Sequence, residues 1–332
     1  MARRDHQQND PPDTPGGFRG PTGLDVSGLT GLPDAIRAIW LDAAVQTWIA
    51  VLRYLTINVR IDHVTISTVQ ERPVRAPQAA DWALSHGIAS MTTVQVAALL
   101  GVPVSQVSQR LAVPKRRGEW VTPARGLWIP VPPEFRAWDG PPAAEFVAPL
   151  MAHLGVTYYV GWLAAAAAHG VAHHAPQITH VATSNLVRGR RVGRADLRFH
   201  TRENITVLPT VQRTARSGTY LVSSPEVTAF DVASDIAVCG GLDNAATVIT
   251  ELADEVGLDD TTLASLARLF PDAASRRVGW IVETHTTHRL DQLAAQVEHG
   301  SSNPARLHPA HPLTGTIDER WRLRLNTTVE VE

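Results

Sequence analysis

At 332 residues the chain exceeds the size at which one hydrophobic core usually stops growing, so two domains are expected. An apolar fraction of 44% with 19% charged residues is that of a folded globular protein; the net charge of -2 offers no overall attraction for nucleic acid, so a nucleic-acid binder must gather its positive charge locally. Cys239 is the only cysteine, which excludes an intramolecular disulfide and any zinc site built from several cysteines.

Residues 1–33 are rich in Pro, Gly, Asp and Gln and contain no apolar signal-peptide segment, so a disordered tail is expected. Asp34 to Tyr54 reads as a helix capped by Asp34, and Thr56–Val69, with Ile57, Val59 and Ile61 alternating, as a strand. This extension, residues 34–75, carries no recognisable role. Neither apolar run spans a bilayer: Ile36–Ile61 is broken by Arg37, Asp42, Arg53 and Arg60, and Val160–Ala168 is too short. A soluble cytoplasmic protein is the expectation.

From residue 76 to 133 the spacing predicts a winged helix-turn-helix. A first helix carries Ala79, Trp82 and Ala83; a second, capped by Thr92 or Thr93, carries Val96, Leu99 and Leu100. Gly101-Val102 makes the turn, and a third helix runs over about Val104–Leu111, with Val104, Val107 and Leu111 facing the second. Pro103 stands where a capping hydroxyl would normally precede that helix. Ser105, Gln106, Gln109 and Arg110 then face outward, where they can pair with base edges; Ser108 is placed for phosphate. Lys115, Arg116 and Arg117 lead into a wing made of Gly118–Val121 and Leu127–Ile129, with Arg125 at its tip, all placed to hold phosphates. Trp120 and Trp128 pack in the core or anchor the wing.

A Pro-rich linker near Trp138–Pro142 separates this unit from a larger mixed α/β domain over residues 143–326, giving an α+β chain overall. Helices are predicted over Glu145–Gly155, Gly161–His169, Asp243–Val256, Asp260–Phe270 and Ala273–Val282, with another starting at Ser224-Pro225. Strands are predicted over Ile178–Thr183, Leu197–His200, Thr206–Leu208 and Tyr220–Val222.

The motifs occur in an order that resembles the AbiEi antitoxins of type IV toxin–antitoxin systems. The residues concerned are Thr92–Gly101, Gly118–Val121 with Arg125–Trp128, Tyr158–Ala165 with His169-Gly170, Ser223–Glu226, Arg276–Glu283 and Arg320–Asn326. Trp128 stands where that family would have tyrosine, and residues 1–75 have no counterpart. The resemblance implies a non-enzymatic repressor that binds inverted repeats of double-stranded DNA in its own promoter. It also implies a nucleotidyltransferase-like toxin, made by a neighbouring gene, that this protein neutralises.

The remaining clusters leave alternatives open. Arg188, Arg190, Arg191 and Arg194, continued by Arg198 and Arg202, form either a phosphate-binding loop or a solvated hairpin turn. His169, His173 and His174, and Glu283 with His285 and His288, invite a metal site, but no metal or cofactor motif is present; His169 is better read as packing where its helix ends. Asp231 and Asp235, four residues apart, are expected on one exposed helix face. The Arg276-Arg277 pair lies early in its helix, where the dipole disfavours a cation, so a compensating partner is expected. The rival functions are a protein–protein module that sequesters a toxin, with DNA binding secondary, and a metal-dependent nuclease.

Overall fold

The computed structural model describes residues 73–171 and 176–331. The tail, helix and strand expected upstream of residue 73, and His173 and His174, lie outside the described residues.

The first elements build a small helical core. Helix α1 (Ala79–Ser85) is followed by a two-residue strand β1 (Met91–Thr92) and helix α2 (Thr93–Leu100). Thr92 caps α2 in a reciprocal box: its hydroxyl accepts from Gln95 N at 3.3 Å, and the Gln95 side chain accepts from Thr92 N at 2.7 Å. Gly101 ends α2 at φ 63°, a left-handed conformation that favours glycine. The third helix is not continuous. A 3-10 turn (Val104–Gln106) leads into α3 (Val107–Arg110), and after Leu111 the chain resumes as α4 (Ala112–Arg116). Pro114 explains the interruption: it has no N–H for the Arg110 carbonyl and its ring crowds that carbonyl. The flanking bonds survive, Leu111 N to Val107 O and Lys115 N to Leu111 O, both 2.9 Å. Lys115 and Arg116 therefore sit in the last turn of a helix, not in an approach to a strand.

Strands β2 (Trp120–Ala124) and β3 (Leu127–Pro130) form a hairpin that β1 joins, in the order β1-β3-β2, with a register shift between Val121 and Ala124. Each strand turns alternate side chains to opposite faces. Trp120 and Trp128 point into the helical core, edge to face at 6.3 Å, with Val96, Val107 and Leu111. Val121, Leu127 and Ile129 point the other way, into a second core with Phe146, Leu150, Val181 and Val222. The hairpin is thus sandwiched. The Pro-rich stretch after it is packed as well, as a 3-10 helix at Pro133–Trp138 with Gly140, Pro141 and Ala143 buried.

The second core belongs to helix α5 (Val147–Leu154) and a six-stranded sheet. Its strands are β4 (Tyr158–Val160), β5 (Ile178–Thr183), β6 (Arg190–Val192), β7 (Ala195–Thr201), β8 (Thr210–Ala215) and β9 (Gly218–Ser223), in the order β6-β7-β5-β4-β9-β8. Pairs β5/β7 and β4/β9 are parallel and the rest antiparallel. Helix α6 (Trp162–His169) crosses between β4 and β5. Thr206–Leu208, expected as a strand, is instead part of a 3-10 turn (Ile205–Val207) with Leu208 extended beyond it. Its apolar residues, Ile205 and Leu208, are buried in the helical layer's core rather than in a ladder.

That layer contains α7 (Pro225–Ser234), α8 (Leu242–Glu251), α9 (Asp260–Leu266), α10 (Asp272–His285) and α11 (Asp291–His299). A three-stranded sheet closes the chain: β10 (Ala305–Arg306), β11 (Thr316–Asp318) and β12 (Leu323–Leu325), in the order β10-β12-β11. The Arg276–Glu283 and Arg320–Asn326 segments meet here. The Trp321 ring lies directly on Gly279 of α10, and its Nε1 donates to Glu283 Oε2 at 3.0 Å. Arg320 donates to both oxygens of the same carboxylate, at 2.8 and 2.9 Å. No helix among the described residues is long and apolar enough to cross a membrane.

Candidate nucleic-acid interface

The segment from Val104 to Arg117 is anchored on its inner side by Val107 and Leu111, both fully buried. Val104 is 50% exposed, so it does not face α2 as the spacing predicts; the 3-10 turn rotates it outward. Ser105, Ser108, Gln109 and Arg110 are exposed and Gln106 is half-buried. Lys115, Arg116 and Arg117 follow on the same segment, also exposed, and no acidic residue falls between Val104 and Gly118. Pro103 provides no side-chain cap to the turn it precedes.

These cations differ from most arginines elsewhere in the fold. Arg110, Arg116, Arg117 and Arg125 have no hydrogen bond from the guanidinium and no ion pair among the described residues. By contrast Arg136 pairs with Asp81 at 2.5 Å, Arg198 with Asp196 at 3.0 Å, and Arg216 with Glu134. Uncompensated, desolvation-free charge of one sign on one segment is what an anionic partner requires. Lys115 is more constrained: its Nζ donates to Thr122 Oγ1 at 2.7 Å and lies 5.9 Å from the Trp128 ring centroid.

Arg125 occupies the tip of the β2–β3 hairpin with an exposed side chain. Its backbone is pinned, because its carbonyl bonds to His153 Nε2 at 3.0 Å and the Gly126 carbonyl accepts from Thr93 N at 2.9 Å. Both hairpin faces are largely buried, and among the described residues its tip presents the exposed Arg125.

The basic run of the sheet is a hairpin, β6–β7, turning at Gly193-Arg194. Arg188, Arg191 and Arg194 are exposed. Arg190 is half-buried and donates from Nη1 to the Pro123 carbonyl at 2.7 Å, at the irregularity in β2. That bond lays this basic turn alongside the β2–β3 hairpin. Arg194 sits 5.8 Å from the Trp138 ring centroid. Arg202, which continues the run in sequence, belongs elsewhere in space.

Arg202 closes a buried polar cluster against Asp231. The Asp231 side chain is fully buried, not on an exposed helix face, because α7 packs between the sheet and α10. Its Oδ1 accepts from Arg202 Nη2 and from Tyr159 OH, the latter at 3.3 Å, and Arg202 is flanked by the Trp162 and Phe270 rings. Burial pushes the Asp231 carboxyl up to about 7 against the opposing pull of Arg202. Gly161 has no room for a side chain here: a Cβ would stand 2.7 Å from Asp231 Oδ2. Beside it Trp162 Nε1 donates to Asp235 Oδ2 at 3.1 Å, and His180 Nδ1 and His200 Nε2 share a 2.8 Å hydrogen bond. Burial and the neighbouring His200 hold His180 down near 4. None of this is visible in spacing, since the partners come from β4, β5, β7 and α7.

The histidines that invite a metal have other occupations. His169 Nε2 donates to Ser223 O at 2.8 Å while Nδ1 accepts from Arg213 at 2.9 Å, a neutral ring at the end of its helix. Glu283 is engaged by Arg320, and His288 Nε2 lies 3.2 Å from Asp254. No group of three or more potential ligands gathers among the described residues. The partners of Arg276 and Arg277 are backbone carbonyls of the same chain: Ser301, Asn303 and Arg322 for the first, Ala233, Arg306 and Leu307 for the second.

The fold and its clusters define a mixed α/β protein in which a small helical unit with an unpaired basic segment is fused to a sheet-and-helix domain. Residues 159–284 match the family described as AbiEi antitoxin C-terminal domain, which places that part of the chain with the AbiEi-type antitoxins. The buried Tyr159–Asp231 cluster and the Gly279 seat both lie within that span. No protein among the curated ones matches. Among solved structures the fold is similar to the crystal structure of the RV2827C protein from Mycobacterium tuberculosis, with TM-score 0.55, 16% sequence identity, and coverage of 76% of this chain and 91% of that one.

Proposed function

We infer that this protein is the antitoxin and transcriptional repressor of a toxin–antitoxin operon, acting in the cytoplasm without catalytic chemistry of its own. The helical unit is a winged helix-turn-helix: α2 and the Val104–Arg117 segment are its paired helices, and β2–β3 its wing. Ser105, Gln106, Gln109 and Arg110 read bases in the major groove of inverted repeats in its promoter. Ser108, Lys115, Arg116, Arg117 and Arg125 hold phosphates, and Arg188, Arg191 and Arg194 extend that footprint along the flank. Arg190, committed to the Pro123 carbonyl, positions the flanking turn. The observation that carries the reading is the row of exposed arginines without an acidic partner on a segment whose apolar residues are buried. The antitoxin family match over residues 159–284 supports assigning neutralisation of a nucleotidyltransferase-like toxin to that domain.

Titration of the full chain with a fragment from upstream of its own reading frame, against shuffled DNA of equal length, tests this. Preference for the upstream fragment, together with repression of a reporter fused to it, is expected; equal binding to both fragments contradicts it. The rival, a toxin-sequestering module in which DNA binding is secondary, is separated by an Arg110→Ala/Arg117→Ala chain that loses the operator. Derepression with toxin neutralisation intact is the expected result; a promoter unaffected by loss of the operator surface is what the rival predicts. Truncation at residue 133 is unsuited to the question, because Val121, Leu127 and Ile129 complete the core of the remaining domain.

A further inference from the structure

Three backbone carbonyls near the end of the β2–β3 hairpin are held from outside it. The Pro123 carbonyl accepts from Arg190 Nη1 at 2.7 Å, the Arg125 carbonyl from His153 Nε2 at 3.0 Å, and the Gly126 carbonyl from Thr93 N at 2.9 Å. Arg190 belongs to β6 and His153 to the last turn of α5, so two of the three donors come from the sheet-and-helix domain. A carbonyl only accepts, so the His153 ring carries a proton on Nε2.

The hairpin needs such support. Ala124 pairs with Leu127, which leaves Arg125 and Gly126 as a two-residue loop. Gly126 has φ 86°, whereas Arg125 keeps a negative φ. Two-residue loops that match the twist of their strands take positive φ at the first loop position; a loop of the present form favours splayed strands. The register shift between Val121 and Ala124 interrupts the ladder just behind the loop, and Pro123 has no N–H to give it. The direction of the tip is therefore set by the bonds from its neighbours, and with it the direction in which the exposed Arg125 side chain leaves the surface.

We propose that His153 is a positioning residue for DNA: by holding the Arg125 carbonyl it aims the Arg125 guanidinium at a phosphate, which makes the sheet-and-helix domain part of the DNA-reading surface. The inference rests on the DNA-binding reading above, with Arg125 as a phosphate contact; His153 acts through Arg125 and not by touching DNA. Affinities of the full chain for the duplex upstream of its own reading frame, measured for His153→Ala, Arg125→Ala and the double variant, test it. His153→Ala should weaken binding about two- to tenfold, the range of one net hydrogen bond. In the Arg125→Ala chain the same substitution should cost nothing further, because the guanidinium it aims is gone. A role in folding alone, or direct contact of His153 with DNA, would weaken binding by the same factor in both backgrounds. His153→Gln, whose amide nitrogen stands about where Nε2 does, should recover most of the loss. Both side chains are exposed, so thermal melting should find every variant folded. An additive loss in the double variant, wild-type affinity in His153→Ala, or a His153→Gln chain as weak as the alanine variant overturns the proposal. Wild-type affinity in Arg125→Ala while Arg110→Ala and Arg117→Ala still weaken binding also overturns it, and leaves the DNA reading standing. Absence of any preference for the upstream duplex removes both.

Discussion

In an exposed helix, replacing glycine by alanine stabilises by about 1 kcal/mol, because alanine loses less backbone freedom on folding. At Gly279 the sign should reverse. A methyl group built there overlaps the six-membered ring of Trp321, which is 2% exposed and closes the core beneath the last sheet. Either the ring shifts within its packed site, costing about 1–3 kcal/mol as overpacking does, or it leaves. Leaving forfeits the burial of the indole, about 3–5 kcal/mol, and its hydrogen bond to the Glu283 carboxylate, about 1.5–3 kcal/mol. The first route is the cheaper. An overlap this close calls for the upper part of that range, about 2–3 kcal/mol, so after the helix gain is subtracted Gly279→Ala should come out destabilised by roughly 1–2 kcal/mol, or more where strain spreads along β12. Urea unfolding read by tryptophan fluorescence measures this directly. Trp321→Leu in the same chain should make the alanine nearly harmless, so the two changes should be strongly non-additive. A Gly279→Ala protein as stable as wild type, or additive with Trp321→Leu, would refute the packing argument.

Other consequences are accessible to the same measurements. Arg202→Met leaves Asp231 buried without its counter-charge, with the Tyr159 hydroxyl as its remaining described side-chain partner, and should destabilise by about 3–5 kcal/mol, with partial recovery on adding Asp231→Asn; a cost below about 1 kcal/mol would contradict the buried pair. Thr92→Ala removes one half of the capping box and should cost about 1 kcal/mol by denaturant midpoint, whereas Thr93→Ala should instead weaken the Trp128 Nε1 bond to Thr93 Oγ1, 3.0 Å long. His180 and His200 are both held below the ordinary histidine range, chiefly by burial. The unfolded chain therefore binds more protons between pH 6.5 and about 4, and their contribution to stability is present above pH 6.5 and lost as pH falls through that window. A His180→Gln/His200→Gln chain should lose less Tm than wild type between about pH 7 and 4.5; equal losses in the two proteins would rule the pair out as the acid-sensitive element.

The features legible in the sequence are those set by neighbours along the chain. Thr92 with Gln95 three residues on, Gly101 after the last apolar position, and Ser224-Pro225 each specify a helix boundary through backbone hydrogen bonding within a single turn, and each boundary falls where they put it. Ile178–Thr183 is similarly a strand over the expected residues. Sequence reasoning fails where distant packing decides. Nothing local says that α3 and α4 are separate pieces except Pro114, which apolar spacing by itself conceals. Strands β4 and β6 have three residues each, β6 and β8 lie at the two edges of the sheet, and all three are fixed by the strands they pair with, while residues 205–208 have a strand's composition but pack as a turn. Asp231 gives no sign of burial: its i+4 relation to Asp235 suits a solvated face, and its partners Arg202 and Tyr159 lie 29 and 72 residues away. The DNA-reading candidates are legible as types, and the exposure of Ser105, Gln109 and Arg110 agrees with the helical spacing, while that of Val104 does not.

The central claim is a division of labour on one short segment, with Gln109 and Arg110 reading sequence and Arg117 holding the backbone. The most direct test measures operator and random-DNA affinities for Gln109→Ala, Arg110→Ala and Arg117→Ala over a range of salt. The first two should lose about 1–3 kcal/mol on the operator and little on random DNA. Arg117→Ala should weaken both alike and lower the salt slope by about one. Equal losses on both DNAs for all three variants, or no loss for any, would contradict the assignment of this surface to DNA.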